Sequence, residues 1–211
     1  MLKIYWSPLS TPANKVRMCA NLLGIEYESV TVDLRGGEQK KPEYLEISPF
    51  GKVPAIDDDG YRLFESNAIV KYLCRREDSP LYPTALQAQG RVDAWCDFAA
   101  SMLTPAMGRI FFNKILAPML GMESNQESLN DGLRFVGNYL PVLEKQLASQ
   151  ANLASDALTI ADLAVLNGFD LSEICEVDIS AAPRLCEWRA ELRSQDFYQS
   201  VHTHFGAGIL V

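Results

Sequence analysis

Three groups of residues in this chain have types and spacings that could do chemistry: an acid–hydroxyl pair, a proline bend and a hydroxyl-rich turn. Glu65 and Ser66 end the apolar strand Arg62-Leu63-Phe64 and begin a helical pattern through Ile69, Tyr72 and Leu73, which puts both at a helix N-terminus. The Ser66 hydroxyl and the free N–H groups there suit a carboxylate, while Glu65 suits an ammonium, so the pair fits the zwitterionic end of an amino acid. Just upstream, Ser48-Pro49-Phe50-Gly51-Lys52-Val53-Pro54-Ala55-Ile56 carries a proline that cannot donate to a strand ladder. The Val53–Pro54 bond is therefore expected to be a bend, and a cis one, that turns the N–H and C=O of Val53 outward. An extended peptide could pair with both groups by β-augmentation. Near the N-terminus, Ser7-Pro8-Leu9-Ser10 joins a strand to a helix. A hydroxyl at such a helix start can donate to a bound thiolate and, with the helix dipole, lower the thiol's pKa. Two hydroxyls in this turn disfavour disulfide exchange. The bland alternative for Ser10 is a simple helix cap.

The elements that must position these residues are legible in the periodicity. Leu2, Ile4 and Trp6 alternate as a strand, and Thr11-Pro12 opens a helix with Val16, Cys19, Ala20 and Leu23 as its buried stripe. Gly24 ends that helix, Tyr27–Leu34 reads as a second strand, and Arg35–Pro42 as a polar loop. Strands near 53–57 and 61–64 and a helix from 66 to about 76 follow. Asp78-Ser79-Pro80-Leu81-Tyr82-Pro83-Thr84 has a linker composition. Beyond it everything reads helical: Leu86–Lys114 with a kink at Thr104-Pro105, Gln126–Ser149, and shorter helices near 160–170 and 183–194. The expected division is an α/β domain over 1–78, a linker over 79–86 and an all-helical domain over 87–211. Thr159 followed by Asp162 three positions later is a capping box, so Asp162 is read as structural.

Composition narrows the partners. The 211 residues are 48% hydrophobic with a formal net charge of −8, which fits a folded protein and opposes a nucleic-acid backbone. No run approaches the ~20 apolar residues of a membrane span, and no leader pattern is visible, so a cytoplasmic location is expected. The five cysteines, Cys19, Cys74, Cys96, Cys175 and Cys186, are scattered without a CxxC and read as reduced buried thiols. His202 and His204 are too few for a zinc site and read as surface or tail residues beside Gly206-Ala207-Gly208; no metal is expected.

The segments 48–56 and 64–69 resemble the glutathione-binding half of the soluble glutathione transferases. Lys3-Ile4-Tyr5-Trp6-Ser7-Pro8-Leu9-Ser10-Thr11 is similar to the serine-type phi and theta classes, and Asp33-Leu34-Arg35-Gly36-Gly37-Glu38-Gln39-Lys40 to the loop after the second strand in the phi class. Leu81-Tyr82-Pro83 and Leu158-Thr159-Ile160-Ala161-Asp162-Leu163 resemble the family's linker and its signature in the second domain. The resemblance implies a thioredoxin-like N-terminal domain with a mixed four-stranded sheet, an all-α C-terminal domain, a homodimer, and glutathione as co-substrate. It places catalysis on Ser10, with Ser7 as a lesser candidate; Tyr5, the competitor suggested by the tyrosine classes, lies inside the strand off the Leu2/Ile4/Trp6 parity and reads as a packing residue. The resemblance assigns the tripeptide to Gln39, Lys40, Lys52, Val53, Pro54, Glu65 and Ser66, and a small hydrophobic electrophile, in a cleft between domains, to Leu9, Leu34, Phe111 and Ile115. From the residues alone, Met102, Met107, Phe111, Phe112 and Ile115 at helical spacing read as core. Two positions depart from the family pattern: Asn14, where many serine-class members have arginine, and Gln39, where phi and theta members commonly have histidine. The rival readings are a binding module of the same fold without catalysis, and another glutathione-dependent reaction such as isomerisation, dehalogenation or peroxide reduction.

Overall fold

The computed structural model describes residues 1–8 and 10–202, so the readings made for Leu9, His204 and the glycines at 206 and 208 lie outside the described residues. The described chain forms two compact units, Met1–Tyr82 together with residues 194–202, and Pro83–Arg193.

In the first unit, β1 (Leu2–Trp6), β2 (Tyr27–Thr31), β3 (Ala55–Asp58) and β4 (Tyr61–Phe64) make one four-stranded sheet in the order β2-β1-β3-β4. β1 runs parallel to β2, with α1 (Thr11–Leu22) as the crossover, and antiparallel to β3, which is in turn antiparallel to β4. The sheet is therefore mixed. Leu2, Ile4, Ala55 and Ile56 are buried, as are Ile69, Val70, Leu73 and Cys74 of α3 (Ser66–Arg76). α1 is buried on more of its circumference than one apolar stripe requires, because it packs against α3 and also against α10 (Asp196–His202). The sequence pattern predicts no helix over the stretch forming α10. Its Phe197, Tyr198 and Val201 are buried, and Asn21 Nδ2 on α1 donates to Ser200 Oγ at 3.0 Å. His202 is half-buried within α10, its ring stacked on Tyr198 with centroids 3.7 Å apart. β2 stops at Thr31, short of Leu34, and the polar loop contains a 3₁₀ turn at Glu38–Lys40 and α2 (Pro42–Leu45), a helix too short for periodicity to reveal.

In the second unit the expected single long helix is interrupted twice. α4 (Leu86–Phe98) passes into a π-helical stretch, Ala99–Leu103, before α5 (Thr104–Phe111), and a second π-helical stretch, Phe112–Leu116, precedes α6 (Ala117–Met119). Each stretch lies directly before a helix segment whose second residue is proline, Pro105 or Pro118. Proline removes one i→i−4 bond and presses on the carbonyl four residues back, Ser101 or Lys114, which falls inside the widened turn. Of the apolar face around Pro105, Met107 is core, Phe111 and Ile115 are half-buried, and Met102 and Phe112 are exposed.

α5 and α7 (Gln126–Ser149) approach closely at Gly132, where an added Cβ would meet the Ala106 carbonyl oxygen and Ile110 Cγ1, each at 2.8 Å. Gly132→Ala, which in an open helix would gain about 1 kcal/mol of propensity, should instead destabilise the fold by about 1–3 kcal/mol in denaturant titration.

α8 (Ile160–Gly168), which α9 (Pro183–Arg193) follows, opens on the expected capping box. Asp162 is fully buried and accepts from the N–H of Thr159 at 2.8 Å, the Thr159 hydroxyl at 2.9 Å and the Leu153 N–H at 2.8 Å. Burial pushes its carboxyl up to about 6 despite these donors. A carboxyl raised above its unfolded value of 3.8 binds protons more tightly when folded, so its contribution is largest below that value and is lost as pH rises through 6. The stability of the wild type relative to Asp162→Asn should therefore fall by about 2 kcal/mol between about pH 4.5 and 6.5, as read from paired denaturant titrations.

Candidate active site

Strand register gathers the candidate residues of the first unit at one end of the sheet, across β1, β3 and β4. Tyr5 pairs with Ala55, and Ala55 pairs on its other side with Phe64. The residues just beyond these three, the Ser7–Ser10 turn, Val53–Pro54 and Glu65–Ser66, therefore emerge together. α1 and α3 both begin at this end, so their N–H ends serve the same region.

Ser10 is the N-cap of α1, and only 8% of it is exposed. Its Oγ accepts from the Ala13 N–H at 3.3 Å and lies 3.5 Å from the Val53 carbonyl oxygen, the limit for donation of its own proton. Ser7 is buried and its carbonyl accepts from the Ser10 N–H at 2.9 Å, which fixes the turn. The Val53–Pro54 peptide bond is cis. The loop before it is pinned by Ser48, whose Oγ donates to the Lys52 carbonyl at 2.8 Å, and by Tyr44, whose hydroxyl donates to the same oxygen at 2.9 Å. The Lys52 side chain is left exposed, as is that of Lys40.

Gln39 sits in the 3₁₀ turn beside this loop, since a Cβ on Gly51 would meet the Gln39 carbonyl oxygen at 2.7 Å. Its amide donates to the Leu34 carbonyl at 3.2 Å, and its buried Oε1 has no partner. In this conformation Gln39 turns its amide donor inward, away from solvent. Tyr5 stacks edge-on against Tyr44 with centroids 5.8 Å apart, in keeping with packing. Asn14 is buried, and its Oδ1 accepts from Arg17 Nη1 at 3.4 Å while the Arg17 guanidinium lies 3.9 Å from the centroid of the Trp6 ring.

Glu65 precedes α3 with φ 67° and ψ 112°, a conformation rarely adopted by a residue with a Cβ. Its side chain is exposed and makes no capping bond, so the carboxylate is not used on its own helix. Ser66 is half-buried at the first helical position. Two residues escaped the sequence reading: Lys15, a buried lysine on α1, and Asn67, whose Oδ1 accepts from Lys15 Nζ. A lysine inside a helical pattern normally marks the solvated face, so no signal in the sequence pointed to it.

Leu34 is half-buried in the first unit, and Phe111 and Ile115 half-buried in the second. Among the described residues no group of three or more His, Cys, Asp and Glu could hold a metal ion, and no helix is long and apolar enough to cross a membrane.

Residues 2–75 match the family of the glutathione S-transferase N-terminal domain, and residues 97–196 that of the glutathione S-transferase C-terminal domain. The chain belongs to the glutathione S-transferase family. It is 32% identical over 169 residues to glutathione S-transferase F10 of Arabidopsis thaliana, covering 79% of each chain. It is similar in structure to glutathione transferase F7 from Populus trichocarpa, with a TM-score of 0.89, 28% identity and coverage of 97% of this chain and 99% of that one. Human glutathione transferase theta-2, solved in complex with glutathione and an unknown ligand, matches with a TM-score of 0.89 at 28% identity over 98% of this chain and 88% of that one. The phi-like and theta-like affinities and the thioredoxin-like N-terminal domain with a helical C-terminal domain hold as expected from the sequence.

Proposed function

We infer that this transferase-family chain binds glutathione across the end of the sheet marked by Val53–Pro54 and Glu65–Ser66, and that Ser10 donates to its thiolate for attack on a small hydrophobic electrophile. The observation that carries the reading is the register: Tyr5, Ala55 and Phe64 pair side by side, so a cap hydroxyl, the Val53–Pro54 bend and an acid–hydroxyl helix start share one end of the sheet. An extended tripeptide has one group for each, its cysteine thiol, its main chain and its γ-glutamyl zwitterion. Lys40 and Lys52 supply positive charge for the glycine carboxylate in a chain whose net charge is −8. Half-buried Phe111 and Ile115 support an apolar co-substrate site in the second unit. A homodimer is supported by family membership and by Phe50, which is 71% exposed and stacked edge-on against Phe64.

The test is calorimetric titration with glutathione beside a conjugation assay on an aryl halide. Saturable binding with turnover is expected. Binding without turnover of aryl halide, peroxide or isomerisable substrate favours a binding module, and no binding sinks the reading.

A further inference from the structure

We propose that Lys15, acting through Asn67, is a positioning residue that holds the Glu65–Ser66 turn in its ligand-binding form. This inference rests on the glutathione-binding reading above.

Lys15 lies on α1, one turn beyond the Ser10 cap, and only 5% of it is exposed. Burying an ammonium is unfavourable unless hydrogen bonds replace its water. One such bond runs from Lys15 Nζ to Asn67 Oδ1, across the packed pair α1 and α3. Asn67 is the second residue of α3 and stands two positions after Glu65. Glu65 has φ 67°, and a residue with a Cβ keeps such a conformation only where the chain on both sides is held. On the entering side, the pairing of Phe64 with Ala55 holds it. On the leaving side, the Lys15–Asn67 bond fixes the first turn of α3 to the interior of α1. The same bond thus links the helix start that carries Ser10 to the one that carries Glu65 and Ser66. Loss of it frees the turn to relax toward an ordinary φ, which withdraws the Glu65 carboxylate and Ser66 hydroxyl from the γ-glutamyl end. The Ser10 hydroxyl stays where its own turn places it.

Steady-state kinetics and thiolate titration on Lys15→Met, Lys15→Arg, Asn67→Leu and the Lys15→Met/Asn67→Leu double variant test this. Lys15→Met and Asn67→Leu should each raise KM for glutathione about tenfold, with kcat at saturation and the bound-thiol pKa close to wild type. The double variant should be no worse than either single one, and Lys15→Arg, which keeps charge and donor, should recover most of the affinity. A lowered Tm with unchanged KM, additive losses in the double variant, or a shifted thiol pKa overturns the proposal, and Asn67→Leu decides alone if Lys15→Met does not fold. Ser66→Ala separates the two levels of the argument. If wild type binds glutathione, Ser66→Ala binds it more weakly and Lys15→Met binds normally, this inference falls by itself; if wild type does not bind, the functional reading falls and takes the inference with it.

Discussion

Replacing Ser10 by alanine should slow glutathione conjugation by about a hundredfold, the usual effect of removing one donor aimed at a reacting anion, while changing glutathione affinity far less. The hydroxyl's present bonds explain why. Its oxygen lies 3.5 Å from the Val53 carbonyl oxygen, too far for a firm bond, so a thiolate arriving beside Ser10 would be the better acceptor for its proton. In the proposed site the remainder of the tripeptide would be met by groups on other segments, so binding and chemistry should separate. The apparent pKa of the bound thiol, followed by thiolate absorbance, should rise in Ser10→Ala and stay nearly unchanged in Ser7→Ala. Some depression should persist, because the N-terminus of α1 survives either change. The alanine also forfeits the cap to the Ala13 N–H at 3.3 Å, so a stability loss of about 1 kcal/mol accompanies it. A change confined to stability, with turnover and thiol pKa intact, identifies Ser10 as only a cap. Loss of both in Ser7→Ala instead moves the catalytic role to Ser7.

Much of this site was legible because its parts obey local rules. Pro54 marks the bend correctly, but the strand expected near 53–57 starts only after it, at Ala55, because proline has no N–H to give the ladder. Ser66 follows an apolar strand and precedes a 3.6-residue pattern, so α3 had to begin there. The capping box fixed the start of α8 by side-chain chemistry alone. What escaped was set by contacts distant in sequence. Burial of Lys15 depends on α3 lying across α1, with Asn67 52 positions away. The inward turn of the Gln39 amide is local by contrast, a bond to the Leu34 carbonyl at the start of the same loop, which no residue pattern announces. α10 escaped because its apolar residues have their partner in α1, far back in the chain. The widened turns before Pro105 and Pro118 escaped for a different reason: proline announces a disturbance in a helix, but its form depends on how the freed carbonyls are satisfied.

Glu65→Ala and Ser66→Ala should each weaken glutathione binding by about 1–3 kcal/mol, the range for a charged hydrogen bond left unmade, and calorimetry should assign both losses to the γ-glutamyl end. The exposed Glu65 carboxylate makes no cap to α3, so its removal takes nothing from the helix. The two substitutions should therefore leave Tm nearly unchanged while affinity falls. A third variant separates the carboxylate from the backbone that presents it. At φ 67° and ψ 112° glycine is far less restricted than any residue with a Cβ, so Glu65→Gly should hold or raise stability while losing at least as much affinity as Glu65→Ala. Stability gained at the expense of binding is the signature of a conformation kept for a ligand. Glutathione itself, with its γ-carboxyl-linked glutamate, should lose affinity in these variants, whereas a cysteinyl-glycine fragment lacking that residue should bind wild type and variants with equal weakness. If the fragment binds the wild type as tightly as glutathione does, or if all three variants keep wild-type affinity, the acid–hydroxyl pair is not the γ-glutamyl site and the tripeptide must lie in another register across this end of the sheet.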